Sequence, residues 1–246
     1  MGSLRVPRRF NGPPDSGHGG YCCGVIAGLL GQPAIAELQA PPPLEVTMAV
    51  VETGEGLEVR DGERLVARAW PAPQPTVVPP ATVAPDSAAQ AVEGYQGFVE
   101  HPFPTCFVCG PQRAAGDGLR IFPGPVEGAG MVAAPWRPAS GLAGVDGAVA
   151  PAFVWSVLDC PALFGFNAWA LRAGRRAEVA VLARMRIRHD APVPVGEELV
   201  VLGWGVDADG RKLHAGSAIQ AADGAILASA DTLWIRLKDQ PQARAR

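Results

Sequence analysis

Two stretches decide the architecture: SGHGGYCCGVIAGLL, from Ser16 to Leu30, and APAFVWSVLDCPALFGFNAWA, from Ala150 to Ala170. Each reads as a helix that is apolar nearly all round, so each must be covered on most sides. The first spans roughly Gly19 to Leu30 and is stopped by Gly31 and Pro33. The second follows the turn Asp146-Gly147. Between and after them the periodicity changes to that of strands. Ile35 to Gln39, Leu44 to Glu52, Leu57 to Arg60 and Arg64 to Trp70 follow the first helix, after an opening strand from Val6 to Asn11. Around the second helix the strand candidates are Gly118 to Phe122, Gly130 to Ala134, Glu178 to His189, Glu198 to Val206, Lys212 to Gln220 and Ile226 to Leu237. One apolar helix followed by an antiparallel meander thus occurs twice, which is the sign of an internal duplication. A curved sheet wrapped around its helix is the natural cover.

Six prolines between Pro71 and Pro85 lie among Ala, Val and Thr and read as an extended connector. The expected organisation is an N-terminal unit over residues 1–70, a Pro/Ala-rich linker over 71–100, a C-terminal unit over 101–239 and a tail over 240–246. Thirty glycines and twenty-five prolines suit many short strands and turns. The chain has 246 residues, 48% of them hydrophobic, enough for a substantial core. A net charge of -3 argues against nucleic acid as a partner. The longest apolar run, Tyr21 to Leu30, is half of the roughly 20 residues that span a bilayer. Arg5, Arg8 and Arg9 have no apolar signal segment behind them. The expectation is a soluble, cytoplasmic protein without membrane partners. Five cysteines, an odd number, are expected as reduced thiols.

Several strings carry a family resemblance. Ser16-Gly17-His18-Gly19-Gly20, opening a buried helix, resembles the His-Gly-Gly helix start of hotdog-fold acyl-CoA thioesterases of the phenylacetate-pathway type. Cys106-Phe107-Val108-Cys109-Gly110 followed by Gly118-Leu119-Arg120-Ile121 is similar to that family's Cys-x-x-Cys-Gly opening and next strand. Ala191-Pro192 through Val195-Gly196-Glu197 resembles its loop between long strands. The resemblance implies an α+β double hotdog, two antiparallel sheets each wrapped around a central helix and joined by a Pro-rich linker. Its substrate is expected to be a thioester of coenzyme A or of an acyl carrier.

In single hotdogs of this type a glycine amide at one helix start stabilises the thioester oxyanion, and an acid two turns along the partner's helix does the chemistry. A free N–H at a positive helix end and a carboxylate across an interface are what thioester hydrolysis needs. Transferred to the first helix, the pattern puts the amide at Gly19 and the acid position at Ala27, which cannot ionise. Transferred to the second, it puts the acid at Asp159 and the amide at Pro151, which has no N–H. The losses are complementary. One composite site is expected, from His18 and Gly19 on one helix and Asp159 on the other, with Asp159 as base or nucleophile.

Further residues join the candidate site. Asn11 is placed to hold carbonyl or water, Gly20 and Trp155 to line the substrate pocket. Arg184, Arg186 and Arg188, on one face of a strand, form either a solvated stripe or a grip on coenzyme A phosphates. His101, Cys106, Cys109 and Cys160 are the four-ligand metal set that the composition offers. With a single close Cys pair, no metal or other cofactor is expected. The rival readings are a non-catalytic acyl-thioester-binding or regulatory protein and an enoyl-CoA hydratase; the second helix lacks the Asn-Pro-x-x-His run that the hydratase would need. A monomer or a homodimer of double hotdogs is compatible with the fusion.

Overall fold

The apolar and alternating segments form the elements that their periodicity dictates. Residues 2–238 are described in the computed structural model. The first half gives β1 (Gly2–Arg5), α1 (Gly19–Gly28), β2 (Ala34–Leu38), β3 (Thr47–Glu52), β4 (Leu57–Asp61) and β5 (Arg64–Pro71). The second gives α2 (Pro85–Ala91), β6 (Gly124–Pro125), β7 (Met131–Trp136), α3 (Pro151–Val157) and α4 (Cys160–Arg172). The meander β8 (Ala180–His189), β9 (Leu199–Asp209), β10 (Lys212–Ala221) and β11 (Ile226–Arg236) closes the described chain. The expected tail over 240–246 lies outside the described residues.

All eleven strands join one antiparallel sheet, in the order β1-β3-β4-β5-β2-β8-β11-β10-β9-β7-β6. The halves meet where β2 pairs with β8, through Ile35 with Arg186, Ala36 with Met185 and Glu37 with Arg184. The sequence predicts two sheets; the pairing of β2 with β8 makes them continuous. α1 packs on β2 and β8, α4 on β9 and β10, and α1 lies against α3. The main core is the layer between these helices and the sheet.

The run Leu199-Val200-Val201-Leu202 is apolar without alternation because β9 is covered on both faces. Leu199 and Val201 join the main core, whereas Val200, Leu202 and Trp204 pack with Val83 and Ala88 on the other side. That second layer corrects the linker expectation. Residues 72–84 are without regular structure, but residues 85–91 form α2, docked on β7 and β9. Gln220 holds the approach to α2, accepting from Val83 N at 3.1 Å and donating to Val83 O at 2.7 Å.

Three other expectations change. The strand expected over Val6 to Asn11 is a short turn of helix over Arg8–Phe10, started by Pro7. Gly118 to Phe122 forms no strand; its amides instead bond the Cys-x-x-Cys loop, Leu119 N to Phe107 O and Ile121 N to Val108 O, both at 2.9 Å. The second apolar helix is broken at Leu158 and Asp159. Pro161 has no N–H to offer the Val157 carbonyl and its ring crowds that turn. Asp159 leaves helical geometry (φ -78°, ψ -80°), and Ser217 Oγ donates to the Leu158 carbonyl at 2.5 Å. Pro151 to Arg172 is long and apolar enough to cross a membrane, but its two helices are mostly buried against α1 and the sheet.

Candidate active site

Glycines let the two halves approach at one point. A Cβ at Gly20 would lie 2.6 Å from Trp155 O and 2.7 Å from Asp159 Cβ; one at Gly24 would lie 2.7 Å from Trp155 Cβ. No real side chain fits there, so Gly20 and Gly24, one turn apart, are what allows α1 to lie against α3. The helices run antiparallel, with Gly20 beside Asp159 and Gly24 beside Ala152.

At that crossing, Gly20 N donates to Asp159 Oδ2 at 2.6 Å, and His18 Nε2 lies 3.3 Å from the same oxygen. His18 is the N-cap of α1. Its backbone N donates to Phe10 O at 2.7 Å, and its Nδ1 accepts from Tyr21 N at 3.3 Å. The cap bond leaves the proton of the neutral ring on Nε2, between Asp159 Oδ2 and Cys160 Sγ, the latter also at 3.3 Å. The Gly19 N–H, first of the helix, has no acceptor among the described residues. A Cβ on Gly19 would sit 3.2 Å from Asp159 Oδ2 and 2.9 Å from Leu182 Cβ. An unengaged helix-start amide therefore lies beside a carboxylate contributed by the other half.

Asp159 is 2% exposed, and its Oδ1 is buried with no hydrogen-bond partner among the described residues. Burial raises its pKa to about 6, against the opposing pull of the His18 charge and the Gly20 amide. Burial is the largest influence on His18 and disfavours its charge, but the facing Asp159 carboxylate and Cys106 together raise its pKa.

The remaining predicted residues divide. Asn11 is buried but serves the Cys-x-x-Cys loop: its Nδ2 donates to Thr105 Oγ1 at 3.3 Å, its carbonyl accepts from Phe107 N at 2.8 Å and its Oδ1 accepts from Arg113. Trp155 packs its side chain on Gly24 and contributes to the helix contact. Arg184, Arg186 and Arg188 alternate with buried Met185 and Ile187 and so lie on the sheet face away from α1. Arg186 pairs with Asp231 at 2.9 Å and Arg188 with Asp190 at 3.0 Å; of the two roles left open, the structure gives them the surface stripe. The metal set also changes membership. His18, not His101, stands with Cys106 and Cys160, while His101 Nδ1 accepts from Phe103 N at 2.9 Å.

Over His18 sits an aromatic cluster that sequence reading did not assign. Phe10 stacks on Tyr21 at 4.1 Å, and Phe107 meets Phe10 edge-on at 4.9 Å and His18 at 6.4 Å between ring centroids. The outer side of Phe107, with Phe10, Phe153 and Leu119, lines a cavity of about 350 Å³ whose lining also includes Arg9, Arg120 and Arg137. Neither this cavity nor the more polar one beside it, lined by Arg8, Asn11 and Arg113, is lined by Asp159.

No family model and no curated protein matches the sequence. Solved structures do match over nearly the whole chain. The tesB protein of Mycobacterium avium subspecies paratuberculosis superposes with a TM-score of 0.57 at 11% identity, over 95% of this chain and 91% of that one. A protein of Novosphingobium aromaticivorans with a provisional thioesterase name gives 0.55 at 14% identity, over 96% and 95%. A conserved protein of Alicyclobacillus acidocaldarius with a hot dog fold gives 0.52 at 12%, over 97% and 93%. At these identities the likeness is one of fold, and it establishes that this chain has the hotdog fold.

Proposed function

We propose that the chain is a thioesterase built as two hotdog units in tandem, residues 1–70 and 101–239, with one composite site per chain and an acyl-CoA as substrate. The observation that carries this reading is the 2.6 Å bond from Gly20 N of the first unit to Asp159 Oδ2 of the second, beside the unengaged Gly19 amide. Asp159 activates water, or attacks, at the thioester carbon. With water, the carboxylate takes a proton as hydroxide adds, the oxyanion gathers at Gly19 N–H, and collapse breaks the C–S bond. The thiolate leaves with the proton that Asp159 took, giving a carboxylic acid and free thiol. His18 is the positioning residue: at the N-cap position it holds the start of α1, and with it the two glycine amides, beside the carboxylate. The pseudo-symmetric twin, with Ala27 and Pro151 in the matching places, has neither acid nor amide.

The cavity outside Phe107 is the reading's route for the substrate. Its aromatic wall suits an acyl chain, and Arg9, Arg120 and Arg137 suit coenzyme A phosphates, a part that the Arg184 stripe is not positioned to play. Five buried free thiols fit a reducing compartment, in keeping with a cytoplasmic protein. One observation favours a second reading, an acyl-thioester-binding protein without turnover: Asp159 is 2% exposed and lines neither cavity. Thiol release from a panel of acyl-CoAs, with wild type and Asp159→Asn, decides. A fall of about 10²- to 10⁴-fold in kcat for the variant, with unchanged circular dichroism, supports the enzyme. Binding of an acyl-CoA with no release by wild type supports the binding protein.

A further inference from the structure

The mechanism uses none of the thiols beside Asp159, yet three of them converge there from distant parts of the chain. Cys106 and Cys109 come from the loop that Asn11 pins, and Cys160 from the first residue of α4. Cys106 Sγ is 3.7 Å from Cys160 Sγ, and Cys160 Sγ is 3.3 Å from His18 Nε2; the ligand atoms of His18, Cys106 and Cys160 all lie within 4.8 Å of one another. Cys109, three residues after Cys106 on the same loop, is buried with them, and its sulfur lies outside the group of three whose ligand atoms fall within 4.8 Å. All four residues are buried, and none of the cysteines is in a disulfide.

Zinc bonds of about 2.3 Å to sulfur and about 2.0 Å to nitrogen give tetrahedral edges of about 3.8 Å between sulfurs and about 3.5 Å between sulfur and nitrogen. The observed 3.7 and 3.3 Å edges are of that size. We infer that His18, Cys106 and Cys160, already gathered, form with Cys109, which closes in from the same loop on binding, a Cys₃His site for a zinc(II) ion that ties the start of α1 to the Cys-x-x-Cys loop and to the helix break. The site goes beyond the thioesterase reading, and its test reads metal rather than turnover.

The backbone of the Cys-x-x-Cys loop is held in place by hydrogen bonds. Tyr95 Oη donates to the Cys109 carbonyl at 2.8 Å, Gly110 N to the Cys106 carbonyl at 3.0 Å, and Cys106 N to the Phe103 carbonyl at 2.9 Å, which fixes the loop carrying two of the sulfurs. Binding displaces the thiol protons to solvent and leaves three thiolates on one dication. Coordination through His18 Nε2 moves the ring proton to Nδ1, exchanging the 3.3 Å cap bond from Tyr21 N for a metal–nitrogen bond. Asp159 keeps the Gly20 N–H. Because His18 belongs to the first half and the thiols to the second, the ion also clamps the halves on either side of the active-site crossing.

The test is elemental analysis of the full chain purified under reducing, chelator-free conditions, followed by replacement of the bound metal with cobalt(II). The expected result is one zinc per chain. Cobalt should show thiolate charge-transfer absorption and the intense visible bands of a four-coordinate site. Cys109→Ser and Cys160→Ser should each lower metal content at least tenfold, and His101→Ala should keep it. Should the variants misfold, titrating the folded wild type with an organomercurial decides: zinc should appear in a chromogenic chelator as three thiols react. Wild type that carries no zinc and gives no thiolate–cobalt band overturns the site. So does metal retained by the folded Cys109→Ser, Cys160→Ser double variant.

Discussion

Asp159 faces Gly19, Gly20 and His18, and much of its environment is set by what the two glycines lack. Gly20 has no side chain, so its amide reaches the carboxylate; adding one methyl brings Cβ within 2.6 Å of a backbone carbonyl. Gly20→Ala is therefore expected to destabilise the fold by about 1–3 kcal/mol through overpacking and to separate the carboxylate from the amide. A lowered melting temperature together with a fall in kcat checks this; full stability with full activity counts against the crossing. The pairing of positions 18, 19 and 159 was legible in the sequence because the two helices differ where a symmetric pair would agree. That the bonded amide belongs to Gly20, leaving Gly19 unengaged, was not, since it depends on the helix crossing. Asn11 was misread for a similar reason: its partners Thr105 and Arg113 lie about a hundred residues away along the chain.

At the scale of elements, the decisive feature is the break between α3 and α4. Apart from Val6 to Asn11 and Gly118 to Phe122, which form no strand, the strands were readable from alternation and their bounds moved by only a few residues, because each has a core face of its own. The helix break was missed although its cause, Pro161, stands two residues after Asp159. An apolar pattern continues across it, so hydrophobicity alone shows one helix. The break has a measurable support. Ser217→Ala removes the donor to the Leu158 carbonyl and is expected to cost about 1–3 kcal/mol, read from denaturant midpoints. Pro161→Ala restores the missing N–H and allows α3 to run on into α4. It is expected to leave helix content unchanged or higher while lowering kcat about 10²-fold, because the carboxylate turns away from its amide. Unchanged kcat would mean that the break does not set the geometry of Asp159.

The whole molecule is one eleven-stranded sheet in which β2 and β8 make the seam. The succession of an apolar helix and an antiparallel meander was visible in the order of elements, but the seam was not: sequence specifies which strands alternate, while edge partners are chosen in three dimensions. The Pro-rich stretch looked like a connector throughout because alanines and prolines carry no amphipathic signal. Its second part docks through small residues, with Ala88 fully buried and Gln220 gripping Val83. Gln220→Ala is expected to speed proteolysis within residues 72–84 at least severalfold, with little change in kcat. Equal cleavage rates would show that the docking rests on α2 alone.

The claim that joins these scales is that one half supplies the amide and the other the acid. It is tested most directly by the crystal structure of the chain with a non-hydrolysable acyl-CoA thioether ketone. The account predicts one ligand per chain, its carbonyl oxygen within about 3.1 Å of Gly19 N and its carbonyl carbon facing Asp159. A carbonyl bound elsewhere, or a second ligand between Ala27 and Pro151, would contradict it.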